Sequence, residues 1–210
     1  MQERQIYLEM TPILKEMEIM KISVDLKQRE VYLEEGALLL EEILTSDQQE
    51  KIFKEIEMVQ STSGRDLWRK NHRLRQLPVL RPVVNVASQL LGENLIRLGY
   101  DQYLPHLNGI WMDWVHGKAS LRDLGSYRGE VCSVLLPLTG RGDALYVRPE
   151  WKLDLAEWVD TAKPHYLVLY STLKAQYTLN KKDPAAAEMV RLGYNNGDRL
   201  REEINPVVHR

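Results

Sequence analysis

Non-haem iron chemistry with dioxygen takes two imidazoles and a carboxylate on one face of the metal, and a His-x-Asp or His-x-Glu pair supplies two of the three. The histidines here are His72, His106, His116, His165 and His209, and none has Asp or Glu two residues later. His106 and His116 flank Asp113, which reads either as a relocated metal site or as a coincidence of loop residues. There is no Gly-x-Ser-x-Gly elbow, no glycine-rich phosphate loop and no zinc spacing of cysteines. The single cysteine, Cys132, lies in an apolar run, where burial as a small hydrophobe is expected. Asp113 reads as a ligand or as a strand carboxylate paired with Arg97 or Arg191. Arg191 reads as an anion ligand or an ion-pair partner, and Trp111 and Trp114 as pocket wall or core.

These residues need elements to position them. Residues 10–20 place apolar side chains near helical spacing, and residues 22–40 alternate in ISVDL and REVYL, which predicts strands. Gly36 then opens the apolar run ALLL. Ser46 and Gln49 have capping-box spacing, after which Ile52, Phe53, Ile56 and Val59 fall on one helical face. QSTSG, residues 60–64, predicts a polar loop. The pattern is helical again over 78–91, with Pro82 tolerated in a first turn and Gly92 as the stop. Beyond Gly92 the segments are short and rich in Val, Leu, Tyr and Trp, which predicts strands over 95–104, 109–115, 130–138, 144–147, 165–170 and 188–194. LDLAEWVD, residues 153–160, is expected as a short helix or turn. Many short strands behind helices predict a mainly β, α+β sandwich or jelly roll.

Composition bounds the partners. At 210 residues, 44% apolar and 28% charged, the chain suits one domain with one core. It divides into a helix-rich flank with the first strands (1–92), a β core (93–195) and a tail (196–210). A net charge of −2 with dispersed Lys and Arg offers no basic face for a phosphate backbone, so nucleic acid is not an expected partner. No apolar run approaches the roughly 20 residues that span a bilayer, and charges stud residues 1–18, where a signal sequence would be apolar. A cytoplasmic protein, away from membranes, is expected. The basic segment RDLWRKNHRLRQLPVLR, residues 65–81, would bind an anion such as phosphate or lie as a solvated loop that gates a barrel mouth.

Five stretches, taken in order, carry a resemblance: EEGALLLEEILTSDQQEKIFKEIEM (34–58), the helix over 80–91 running into 97–104, LLPLTGRGDALYVRP (135–149), residues 166–180, and MVRLGY (189–194). Together they resemble the phytanoyl-CoA dioxygenase-like group of iron- and 2-oxoglutarate-dependent oxygenases. The resemblance implies a double-stranded β-helix, a cupin-like jelly roll, with flanking N-terminal helices. Within it YDQYLPHLNGIWMDW (100–114) is similar to the segment that carries the family's His-x-Asp pair.

Carried over residue by residue, the resemblance puts Trp111 in the place of the first histidine and leaves Asp113 as the carboxylate. Ala175 falls where the distal histidine belongs, five residues before a matching Asn180. Arg191 keeps the position that would pair with the distal carboxylate of 2-oxoglutarate. The pocket would then be lined by Trp111, Asp113, Gln102, Ala175, Asn180 and Arg191. One reading is a pseudoenzyme that has lost its iron site, needs no cofactor and binds a small molecule or a protein partner in the barrel. Another is an active oxygenase using Fe(II) and 2-oxoglutarate with Asp113, His106 and His116 as non-standard ligands, or a metal-free enzyme in the same pocket. A third is an unrelated β-rich domain. Whether the chain is an enzyme, and its oligomeric state, stay open at this level.

Overall fold

The first helix forms where alternation predicts strands, because capping outweighs a short period-two run. In the computed structural model, which describes residues 22–58 and 64–209, α1 spans Leu26–Glu35. Asp25 accepts from the Gln28 amide at 2.7 Å while the Gln28 side chain accepts from the Asp25 amide at 2.9 Å, a reciprocal box that fixes the first turn. Gly36, at φ 79°, ends the helix in the left-handed conformation. A Cβ there would also meet the Trp151 ring at 2.6 Å, so the position excludes a side chain twice over. The helix expected over 10–20 lies outside the described residues.

After β1 (Ala37–Leu40) comes α2 (Ser46–Met58), capped one residue earlier than its sequence suggests. Thr45 Oγ1 accepts from the Gln48 amide at 3.2 Å and Gln48 Oε1 from the Thr45 amide at 2.8 Å. Gln49 is released from that role and is buried, its amide donating to the Pro137 carbonyl at 2.7 Å. Thr45→Ala is therefore expected to lower the unfolding free energy by about 1 kcal/mol and Ser46→Ala by much less. Urea denaturation of the two variants checks this, and equal losses would restore the Ser46 box. Ile52 and Ile56 are buried and Phe53 is partly so; Val59 lies outside the described residues.

The expected solvated loop over 65–81 is instead packed. It contains β2 (Gly64–Arg65), α3 (Leu67–Lys70) and two turns of 3-10 helix, and it buries Leu67, Leu74, Leu77 and Leu80 in the core. The leucines recur between the basic residues and anchor the segment. Helix α4 (Arg81–Leu91) then begins three residues later than expected, with Pro82 in its first turn and Gly92 left-handed at its end.

One antiparallel sheet runs in the order β1-β6-β5-β7-β3-β2, built from β3 (Leu95–Leu104), β5 (Val131–Pro137), β6 (Ala144–Val147) and β7 (His165–Thr172). The tail adds β9 (Val207–His209) beside β3. A second layer is reduced to a ribbon of β4 (Tyr127–Arg128) and β8 (Gln176–Tyr177) with short helices around it. The result is an α+β, mainly β fold of the cupin-like jelly-roll type. Alternation along each strand divides the core. Cys132, Val134, Tyr146, Tyr166 and Tyr170 face α2 and α4, and Val131, Leu135, Leu145, Leu167 and Leu169 face the ribbon. Burial pushes the Cys132 thiol up to about 12, so it is an inert core residue.

Two further expected strands are helices. Residues 109–115 form α5 (Ile110–Val115), because Asn108-Gly109 is a turn: Gly109 sits at φ 52° and the Asn108 carbonyl accepts from Trp111. Residues 188–194 fall largely in α7 (Ala186–Arg191), where an alanine run favours helix and Gly193, at φ 82°, stops it. Between them α6 (Leu121–Leu124) carries its own Ser120–Asp123 capping box. Residues 153–160 form turns, and the 140–143 turn connects β5 to β6.

Candidate functional site

Strand β3 changes face midway. Its pairing with β7 slips between Leu98 and Tyr100, so Ile96 and Leu98 point toward the helices while Tyr100 and Leu104 point toward the ribbon. Gly99 sits at the slip, where a Cβ would meet Leu169 at 2.9 Å. Its carbonyl accepts from Tyr127 Oη at 2.8 Å and from the Asn205 side chain at 2.5 Å, which satisfies the backbone that the bulge leaves unpaired.

Opposite Gln102 stands Arg65, and Asp66 then takes a left-handed conformation, φ 58°, uncommon for a residue with a Cβ. The Asp66 amide donates to the Asp101 carbonyl at 2.7 Å, and the Trp68 amide donates to the Asp101 carboxylate at 3.2 Å. Tyr166 Oη donates to the same carboxylate. Burial raises the Asp66 carboxyl against the opposing pull of Arg69 and Arg65. Burial also pushes Asp101 up to about 7, against the hydrogen bonds from Tyr166 and Trp68.

Facing this segment, Asp183 lies in the turn that leads to α7. Its Oδ1 accepts from the Ala185 amide at 2.9 Å and from the Arg65 guanidinium. The side chains of that ion pair are 10% and 0% exposed. The Arg65 guanidinium also lies 3.5 Å from the centre of the Tyr100 ring. Arg69 pairs with Asp66, and Arg69 and Lys70 each stand 3.8 Å from Glu188. Between the two segments is a cleft of about 280 Å³ walled by Arg65, Lys70, Gln102, Trp111, Asp183 and Glu188. Trp111 is held edge-on to the buried Trp114, ring centres 6.2 Å apart at 81°. Arg65 Nε and Asp183 Oδ2 are buried without hydrogen-bond partners among the described residues. Tyr177 Oη is a third such atom, adjoining Ser126 and within reach of the Asp183 charge.

Of the residues singled out in the sequence, Gln102 and Trp111 line this cleft. Asp113 is on α5 with its side chain 55% exposed, and its ion-pair partner is Lys118 at 4.0 Å rather than Arg97 or Arg191. Ala175 is fully buried in the turn before β8. Asn180 ties that region to α6 by donating to the carbonyls of Asp123 at 2.8 Å and Gly125 at 2.9 Å. Arg191 is an exposed residue of α7. His106 lies exposed with Nε2 2.9 Å from the Asn108 amide, and His116 is exposed at the end of α5. No local signal pairs Arg65 with Asp183: they are 118 residues apart, and Asp183-Pro184 signals only a turn.

No family model matches this chain, and no curated protein matches it. Solved structures do. The non-heme alpha ketoglutarate dependent carbocyclase SnoK from nogalamycin biosynthesis is 12% identical, with a TM-score of 0.66 over 89% of this chain and 97% of its own. The non-heme alpha ketoglutarate dependent epimerase SnoN from the same biosynthesis is 11% identical, with a TM-score of 0.65 over 88% and 98%. CT296 from Chlamydia trachomatis is 17% identical, with a TM-score of 0.52 over 72% and 97%. At these identities the likeness establishes an oxygenase-like fold. No helix among the described residues is long and apolar enough to cross a membrane.

The residues that the sequence resemblance offers do not fit the iron of that family. Iron would take two imidazoles and a carboxylate. At the three positions that the sequence resemblance offers stand an indole, a half-exposed carboxylate on α5 and a methyl group. Among the described residues no three of His, Cys, Asp and Glu come together to hold an ion. Arg191, which the sequence resemblance matches to the 2-oxoglutarate arginine, is exposed on α7, and Arg65 in the cleft is already matched by Asp183.

Proposed function

We propose that this chain is an oxygenase-fold protein that works without an iron centre and binds a small molecule in the cleft between residues 64–70 and 183–188. The observation that carries the reading is the placement of Asp113. The one carboxylate kept from the oxygenase pattern is half exposed on α5 beside Lys118, while the cleft is walled by an ion-paired Arg65 and Asp183. A lone carboxylate in water competes poorly for a divalent metal.

The competing reading, an oxygenase with non-standard ligands, draws support from SnoK and SnoN, both described as alpha ketoglutarate dependent. Anaerobic calorimetric titration with Fe(II), with and without 2-oxoglutarate, on wild type and Asp113→Ala separates the two. The expected result is no saturable iron binding in either protein. Tight binding by wild type that Asp113→Ala abolishes would establish a metal site and overturn the proposal.

A further inference from the structure

We propose that the cleft takes a neutral polyhydroxylated ligand, a single sugar ring or a cyclitol, seated on Trp111. This rests on the reading of the cleft as a binding site and names the chemistry it would recognise. The first observation is charge balance. Each charged group on the wall already faces its opposite: Arg65 with Asp183, and Lys70 with Glu188. Behind them Arg69 lies between Asp66 and Glu188. An organic acid or a polyamine entering this cleft would meet no unbalanced field and would lose its hydration.

The second observation is that balance in charge is not satisfaction in hydrogen bonds. Arg65 Nε can only donate and Asp183 Oδ2 can only accept, and both are buried without partners among the described residues. A carboxylate on this wall would be drawn to Arg65 and repelled by Asp183, and an ammonium group would meet the reverse. A hydroxyl donates and accepts at once, so neighbouring hydroxyls add no charge beside the buried pair. Gln102, with an amide that also does both, stands beside Arg65 on the same wall.

The third observation is shape. Trp111 is fixed edge-on by Trp114 and offers a rigid aromatic surface suited to the C–H face of a saturated ring. A cleft of about 280 Å³ falls at the small end of ligand sites, which suits one ring rather than a chain of them.

The test is a titration of 15N-labelled full-length protein, following the Trp111 indole N–H and the Arg65 Nε–H by NMR. The neutral probes are D-glucose, D-galactose and myo-inositol, and the charged ones are 2-oxoglutarate, L-glutamate and spermidine. At least one neutral probe is expected to shift both signals saturably, with affinity reduced about tenfold or more in Asp183→Asn. Gln102→Ala gives the same readout outside the buried ion pair, should Asp183→Asn fold poorly, and Trp111→Leu is read on the Arg65 Nε–H alone. Saturable shifts from charged probes alone would overturn the polyol assignment and leave the binding cleft standing. No saturable shift from any probe would overturn the cleft reading itself.

Discussion

Asp183→Asn is expected to lower the unfolding free energy by about 3–5 kcal/mol, the loss typical when one member of a buried ion pair is removed. Asparagine keeps a side-chain oxygen for the Ala185 amide, so the change isolates the charge from the turn it also caps. What it leaves is Arg65, nine-tenths buried over the face of Tyr100, with the Asp66 carboxylate, already paired to Arg69, as its remaining counter-charge. Arginine does not shed its proton to relieve that burial. The double variant Arg65→Met, Asp183→Asn removes both charges and is expected to recover most of the loss, because a buried pair yields little net stability over an apolar replacement. Urea denaturation of wild type, the two single variants and the double variant measures the coupling. A loss below about 1 kcal/mol for Asp183→Asn would mean that water reaches Arg65 from the cleft and that the pair is solvated in solution.

That pair also marks where the sequence ceased to be legible. The strands of the large sheet could be read from apolar alternation and Gly or Pro punctuation: 95–104 and 144–147 form as expected, and 131–137 and 165–172 differ only at their ends. Their burial is a local property of side-chain pattern. The segments that went wrong, 22–35, 109–115 and 188–194, are short, and each was decided by one terminal residue: the Asp25 cap, Gly109 and Gly193. Periodicity over five to seven residues cannot outweigh such a signal. The cleft was half legible. Trp111 and Gln102 lie near the segment that resembles the oxygenase site, so they were within reach of a sequence argument. Arg65, Lys70, Asp183 and Glu188 come from segments that carry no local signature, and they meet because the large sheet places β2 at its edge beside the turn before α7. The β3 bulge is in the same class. Gly99 in GYDQY reads as one more strand residue until the Leu169 contact shows why it must lack a Cβ.

Asp101 should make the stability of this protein depend on pH in the direction opposite to that of most carboxylates. Its ordinary value is near 4, and burial raises it to about 7 in the folded chain. Among the described residues, the groups that face it are Tyr166 and Tyr170 on β7 and Asp66 at the head of α3, none of them a cation. Between pH 4 and 7 the folded state therefore holds a proton that the unfolded chain has released, and the unfolding free energy contributed by this group falls as pH rises. Its contribution is fully present below about pH 4 and is lost as pH passes through 7. In Asp101→Asn the side-chain oxygen can still accept from Trp68 or Tyr166, but nothing titrates. The difference in stability between the variant and wild type is thus expected to shift in the variant's favour by a few kcal/mol from pH 4 to pH 8. Taking the difference cancels the other carboxylates, which titrate in both proteins. Urea denaturation of both proteins across that range supplies the measurement. A difference that stays constant with pH would place the Asp101 carboxylate at an ordinary value and leave Tyr166 and Trp68 bonded to a permanent anion.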